Sequence, residues 1–329
     1  MSSAYDVAAV GNAIVDVIAP ADDAFLAAES LPKGSMSLID DARAAGLYKV
    51  MAPGLESSGG SGANTVAGIA SFGGKAAYIG KVADDQLGQV FTHDIRAIGV
   101  DYATAPLVGG AATARCLVNV TPDGQRTMST FLGASVGLTP ADLNAEMIKG
   151  GAVLYLEGYL FDAASGPMVF SKAATIARDA GRKISLTLSD GFVVGRHRAA
   201  LMAFIESDVD ILFANEDETK ALMQTEDFDA AVAALRPHIE IAALTRSEKG
   251  SVVVTKSGAE AVPAAPVDHV LDTTGAGDQY AAGFLFGLAR GKALKDCARL
   301  GGLAAAEVIS HYGARPQVPY KDLAAKAGL

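Results

Sequence analysis

Short apolar segments separated by amphipathic stretches run along this 329-residue chain, and that alternation limits its fold more than any other feature. AYDVAAVGNAIVDVIA, KAAYIGKV, AVLYLEGYL, ISLTLS, VDILFAN, IAALTRS and SVVVT are each bounded by small or polar residues. Between several of them lie stretches such as GPMVFSKAATIARDAG and HRAALMAFIESD, in which apolar residues recur at three and four. Alternation of this kind predicts βαβ units around a mostly parallel sheet flanked by helices. Half of the residues are hydrophobic and no composition break divides the chain, so one elaborated α/β domain over residues 1–329 is expected.

Two segments break the rhythm. Residues 33–40 (KGSMSLID) and 113–131 (TARCLVNVTPDGQRTMSTF) read as half-buried strands, the second folded back at Pro122-Asp123-Gly124. Together with residues 12–20 they are expected to form a small sheet outside the main one, acting as a lid. The tail KDLAAKAGL reads as a short terminal helix.

A formal net charge of -10 argues against nucleic acid or an anionic membrane as partner and leaves small molecules, bound by a monomer or a homodimer. The start YDVAAVGNAIVDVIAP has no basic region and carries Asp6 and Asp16, so it reads as a strand and not a secretion signal. No run approaches the roughly 20 apolar residues of a membrane span. Cys116 and Cys297 have neither CxxC nor metal-ligand spacing and read as free core thiols in a reducing compartment. The cytoplasm is the expected location. His93, His197, His238, His269 and His311 form no ligand-spaced pair, which points to surface or structural roles.

Three glycine-rich stretches could cradle a phosphate. IASFGGKA has Ile69 where a Walker loop needs its first Gly and Ala76 where it needs a hydroxyl, so it fails. GGSGANTVAG has Gly60 and Gly62 without the third Gly of a dinucleotide fingerprint. In DTTGAGDQYAAGFLFGL, Gly275, Ala276 and Gly277 precede Asp278 and a long helical pattern. Glycines there admit close approach of a ligand, and a helix start offers unpaired N–H groups with a positive dipole end. The turn can therefore hold an anion. Asp278 at its edge would stay ionised and take the proton of an alcohol attacking that anion; alternatively it is an ordinary N-cap.

DTTGAGD resembles the C-terminal signature of the ribokinase-like (PfkB) carbohydrate and nucleoside kinases. In order along the chain, GNAIVD (Asn12, Asp16) resembles that family's first strand with its substrate-binding acid, and SGGSGAN (Gly59, Gly60, Ser61, Asn64) its N-terminal glycine loop. YIGKVADDQLG resembles its second glycine segment, NEDE (Asn215, Glu218) its NxxE motif, and TRSEKGS (Thr245, Ser247, Gly250) its nucleotide segment. The resemblance implies a doubly wound α/β fold with a β lid and transfer of the γ-phosphoryl of ATP to a hydroxymethyl group. It implies Asp278 as base, the N–H groups of Gly275, Ala276 and Gly277 as anion hole, and Thr274 beside the nucleotide. Glu218 would organise Mg2+ through water, unless it is an exposed helix carboxylate. Arg126 matches a lid arginine that closes over the reacting phosphate in nucleoside-kinase relatives; its alternative is a solvated arginine on a strand edge.

By the same resemblance, Asp16 and Asn64, with Gly60, grip vicinal hydroxyls. TLSDGF resembles a segment of adenosine kinases that sets an aromatic, here Phe192, against the purine, with Tyr159 at a matching position. Met36, Leu38 and Met128 would supply the apolar lid side, each also readable as core. Adenosine is the favoured acceptor and the adenosine kinases the nearest branch. Thr274, where adenosine kinases carry Asn, and Gln279 keep ribose, fructose and other purine nucleosides open, and a catalytically silent nucleotide-binding protein is the remaining alternative. Some relatives hold K+ near the acid that opens the signature; Asp272 and Thr274, with VISHYGARPQ, stand in comparable places. A helix C-terminus closed by Gly313 is the plainer reading of that stretch.

Overall fold

A computed structural model describes residues 3–329. In chain order its strands are β1 Tyr5–Val10, β2 Ile14–Pro20, β3 Met36–Leu38, β4 Leu55–Gly59, β5 Ala76–Ile79, β6 Asp101–Tyr102 and β7 Ala114–Val120. They continue as β8 Arg126–Phe131, β9 Gly151–Glu157, β10 Lys183–Thr187, β11 Ile211–Asn215, β12 Ile241–Thr245, β13 Ser251–Thr255 and β14 Gly258–Val262. The main sheet has the order β14-β13-β12-β11-β10-β9-β1-β5-β6 and the small one β3-β8-β7-β2-β4. From β6 to β12 the main sheet is parallel; β13 and β14 are added antiparallel.

Both faces of the main sheet are buried, which is why its strands read as near-continuous apolar runs. Leu154 and Leu156 of β9 enter one core, and their alternates Val153 and Tyr155 enter the other. No helix among the described residues is long and apolar enough to cross a membrane. Cys116 and Cys297 are buried and unpaired, as expected.

The apolar start is not one strand. β1 lies in the main sheet and β2 in the small one, with Gly11-Asn12-Ala13 between them. A Cβ on Gly11 would collide with the Glu157 carboxylate, so the chain can leave β1 at this point only through glycine.

The expected small sheet forms, with the hairpin turn at Pro122-Asp123-Gly124, where Gly124 adopts φ +79°. It is larger than expected, because β4 (LESSG) joins it by pairing with β2. Within 33–40 only β3 is strand, and its exposure runs opposite to a half-buried strand. Met36 and Leu38 are 42% and 60% exposed, since β3 is an edge strand with one face uncovered. Their reading as core residues is thereby corrected. Gly313 does not close a helix either: the Leu294–Val308 helix ends at Ile309, and Gly313 lies four residues beyond with φ +99°.

The chain passes from β1 to β5 on one side and later places β9 on the other, so β1 and β9 flank the point where strand order reverses. Ligands of open α/β sheets sit beyond the carboxyl ends of the strands at such a point. Val10 pairs with Leu156, which sets Gly11 and Glu157 side by side there.

Beneath this point runs the Ala276–Ala289 helix, packed on β1, β9 and β11 and against the Ser61–Ser71 and Leu294–Val308 helices. Its contact with Leu294–Val308 is backbone on backbone: a Cβ on Gly283 would stand 2.5 Å from the carbonyl of Leu300, and one on Gly301 2.6 Å from that of Tyr280. Gly283→Ala is expected to force the helices apart and cost about 1–3 kcal/mol of stability. Urea unfolding with an unchanged midpoint would show that the seam yields freely.

Candidate active site

Two helix starts meet at the switch point. The first, Ser61–Ser71, is preceded by Gly60 at φ +92°; the second, Ala276–Ala289, by Gly275 at φ +79°. Neither has a side-chain cap; at the first start the Glu157 carboxylate takes the Gly62 N–H, and at the second no side chain takes the first N–H groups among the described residues. Asp278 is half-buried between them, accepting from Ser61 Oγ at 2.6 Å and Asn64 Nδ2 at 3.0 Å. Its capping alternative is excluded, because the cap position belongs to Gly275.

The expected anion hole is smaller by one donor. Ala276 N–H turns back to the Thr273 carbonyl at 3.2 Å, as the tight turn requires. The N–H groups of Gly275 and Gly277 take no protein partner among the described residues, and Gly277 is exposed. A Cβ on Gly275 would stand 2.7 Å from the Ala314 Cβ, so this turn needs glycine for both conformation and space.

Burial pushes the Asp278 carboxyl above its ordinary range; the donors Ser61 and Asn64 and the charge of Arg315 pull it back. A raised carboxylate is the stronger base.

Glu157, which sequence reasoning left out of the site, is buried at the end of β9. It accepts from Gly62 N–H (2.8 Å) and from Asn12 N–H and Nδ2 (3.3 and 3.1 Å). Burial raises its carboxyl to about 7, opposed by Gly62 and Asn12 and reinforced by Asp278. Asp16 points from β2 toward the same place, and a Cβ on Gly59 would strike its carboxylate. Its carboxyl is pushed to about 6 by burial, against the charges of Arg315 and Arg126. Arg315, also missed, is half-buried with its guanidinium on the Ser58 carbonyl and Oγ, its charge acting on Asp16 and Asp278. Neither Glu157 nor Arg315 stands in a motif of its own, so the sequence carries no signal for them. Gln279 is wholly buried and ties the Asn64 carbonyl (3.0 Å) to that of Ala314 (2.8 Å).

Asn12 Oδ1 and Asn64 Oδ1 are buried without a donor among the described residues. Buried acceptors require donors, and the hydroxyls of a diol are of the right kind.

On the other side, Asn215 and Thr245 are paired neighbours at the ends of β11 and β12. The turn after Thr245 carries Ser247 at φ +50° and Gly250 at φ +83°. Glu218 is only 6% exposed, which removes its reading as an exposed helix carboxylate. It forms a capping box with Asn215, donating its N–H to Asn215 Oδ1 and accepting from Asn215 N–H and Nδ2. Burial, then the charges of Asp190, Asp217 and Asp278, raise its carboxyl to about 7. Negative charge crowded at one mouth fits a divalent cation. Among the described residues no all-protein metal cage exists, so such an ion would keep water and phosphate oxygens as ligands.

Phe192 is 77% exposed at the start of the Gly191–Asp208 helix, two residues past Asp190. Tyr159 is half-buried against the core, its N–H donating to Ser189 Oγ at 3.1 Å beside Asp190, and its hydroxyl is shifted upward by burial first and then by the charges of Asp190, Asp278, Glu157 and Glu218. Met128 is half-buried and paired with Met36 across the lid. Arg126 is not solvated. It is buried, with Nη2 2.7 Å from Asp272 Oδ2, because β8 brings it against the strand-like segment before the signature. Asp272 also accepts from Thr274 N–H and Gly313 N–H, both at 3.0 Å. Two backbone N–H groups and a guanidinium thus already surround the carboxylate that the resemblance offers to K+.

A carboxylate beside a free-amide turn, a polar grip on one side and a carboxylate-lined mouth on the other make a phosphoryl-transfer site. The pattern of the pfkB family carbohydrate kinases matches residues 54–321, and the chain belongs to that family: it is a kinase acting on a sugar or a nucleoside. It is 50% identical to the adenosine kinase from Sinorhizobium meliloti, with a TM-score of 0.92 over 99% of this chain and 100% of that one. A probable sugar kinase from Rhizobium etli CFN 42 is 47% identical, with a TM-score of 0.93 over 99% of each chain. Fructokinase-1 of Oryza sativa subsp. japonica is 28% identical over 84% of this chain and 90% of its own.

Because Asp16 must be ionised to accept hydroxyl hydrogen bonds, acceptor binding is expected to weaken as pH falls through about 6. Asp16→Asn should raise the acceptor KM roughly 10- to 100-fold at neutral pH and abolish that dependence. A KM unaffected by pH in the native protein would contradict this assignment, which is checked by KM measured across pH 5–9.

Proposed function

We propose that this kinase transfers the γ-phosphoryl of ATP to the 5′-hydroxyl of adenosine. The observation that carries the choice of acceptor is Phe192, an aromatic left exposed at the start of the helix capped by Asp190. An aromatic surface left open beside a polar grip suits a flat base joined to a sugar, since stacking supplies about 1–3 kcal/mol per base. The exposed Met36 and Leu38 on the lid add apolar surface of the same use. Likeness to an adenosine kinase along almost the whole chain supports the same reading.

In this proposal Asp16, Asn12 and Asn64 orient the ribose hydroxyls, their unmatched acceptors receiving the hydroxyl protons. Asp278 accepts the proton of the 5′-hydroxyl as its oxygen bonds to the γ-phosphorus and the bond to the ADP oxygen breaks. Gly275 and Gly277 direct their N–H groups at the charge on the moving group, while Ser61 and Asn64 keep Asp278 aimed. Thr245, Ser247, Gly250 and Thr274 line the nucleotide side. Mg2+, when bound, neutralises phosphate oxygens, and Asn215 and Glu218 would hold it through water. Lid closure excludes water as a competing acceptor.

A second reading, phosphorylation of a free sugar, is favoured by Thr274 and by the fructokinase and sugar-kinase relatives. ADP release with Mg·ATP and a panel of adenosine, inosine, guanosine, ribose and fructose separates the two. Adenosine is expected to give the highest kcat/KM, and a higher value on fructose or ribose would replace it. Asp278→Asn should lower kcat by about 10²–10⁴. Phe192→Ala should raise the adenosine KM roughly 10-fold while leaving slow turnover of ribose unchanged.

A further inference from the structure

We propose that Arg126 is a built-in substitute for a monovalent cation at the opening of the phosphate turn, so that turnover needs no K+. This rests on the kinase reading and not on which acceptor is used.

The argument begins with the Asp272 carboxylate, which has about four lone-pair positions. Thr274 N–H takes Oδ1, Gly313 N–H takes Oδ2, and the Arg126 guanidinium stands 2.7 Å from Oδ2. Both side chains of the pair are buried. A second cation reaching this carboxylate would lie against the guanidinium in surroundings poor in water, where like charges repel strongly. Arginine keeps its charge at every working pH, so the compensation is permanent and not drawn from solution.

The charge arrives on the lid. Arg126 opens β8 directly after the hairpin, and a Cβ on Gly124 in that hairpin would be 3.4 Å from the Tyr312 hydroxyl and 3.6 Å from the Leu271 carbonyl. The hairpin therefore rests on the segments either side of Asp272 and Gly313. Asp272 in turn fixes the Thr274 N–H, one residue before the Gly275 turn. Arg126 touches none of the reacting atoms in this arrangement; it is a positioning residue for the turn that receives the phosphate.

The test compares kcat of the full chain, with Mg·ATP and the best acceptor of the panel, in chlorides of K+, Na+ and tetramethylammonium at equal ionic strength. Rates within about two-fold are expected, and a stimulation of ten-fold or more by K+ overturns the proposal. Arg126→Met should lose roughly 10- to 100-fold in kcat and recover part of it with K+ or millimolar guanidinium but not with tetramethylammonium. A purely structural role would lower Tm without such cation-specific recovery, and a variant as active as the native protein in tetramethylammonium also overturns the idea. Arg126→Lys should remain indifferent to K+. The melting temperature of the native protein is expected to be the same in K+ and tetramethylammonium; a K+-specific rise overturns the proposal. That arm decides alone if no acceptor turns over, which would be the failure of the acceptor panel, or if the Met variant does not fold.

Discussion

Asp278 is held by two donors, Ser61 and Asn64, that lie more than two hundred positions earlier in the chain. That pair of hydrogen bonds joins the start of one helix to the start of another, and much of the architecture serves to make the meeting possible. The backbone-to-backbone seam at Gly283 and Gly301 sets the height of the second helix. Glu157 fixes the first through the Gly62 N–H. Gln279 spans from the first helix to the loop that carries Arg315.

Burying acids is costly, and this site buries four of them near one another: Asp16, Glu157, Glu218 and Asp278, each shifted upward chiefly by burial. What makes the cluster tolerable is the supply of donors. Helix-start and strand-end N–H groups reach Glu157 and Glu218, side-chain donors reach Asp278, and Arg315 lies close to Asp16 and Asp278. Glycine at positions 11, 59 and 62 lets carboxylates come within contact of the backbone. The same crowding equips the pocket for chemistry, since a carboxyl raised above its ordinary range is the better base.

The main sheet was legible because its strands are buried on both faces and therefore apolar throughout. β4 was not, since LESSG has no apolar period and is held by pairing with β2 and by the side chains of Asp94 and Arg315 on Ser58. The split of the first stretch turned on Gly11, whose meaning depends on a carboxylate 146 residues away in Glu157. Asp278, Ser61 and Asn64 could be picked out by motif, and they do come together. Arg126 could be picked out as well, but its partner could not: a buried ion pair joins segments that no local pattern connects. Glu157 and Arg315 carry no motif of their own and become visible only when loops from distant strands converge.

The passage Gly11-Asn12-Ala13 is the covalent link between β1 in the large sheet and β2 in the small one, and Asn12 in the middle of it is bonded to Glu157. This hinge, one of four places where the chain crosses between the two sheets, is thus itself a wall of the candidate site. A bound molecule that engages Asn12 and Asp16 presses on both leaves of that hinge at once, so occupancy and stiffness become coupled quantities: whatever fills the cavity also locks the door.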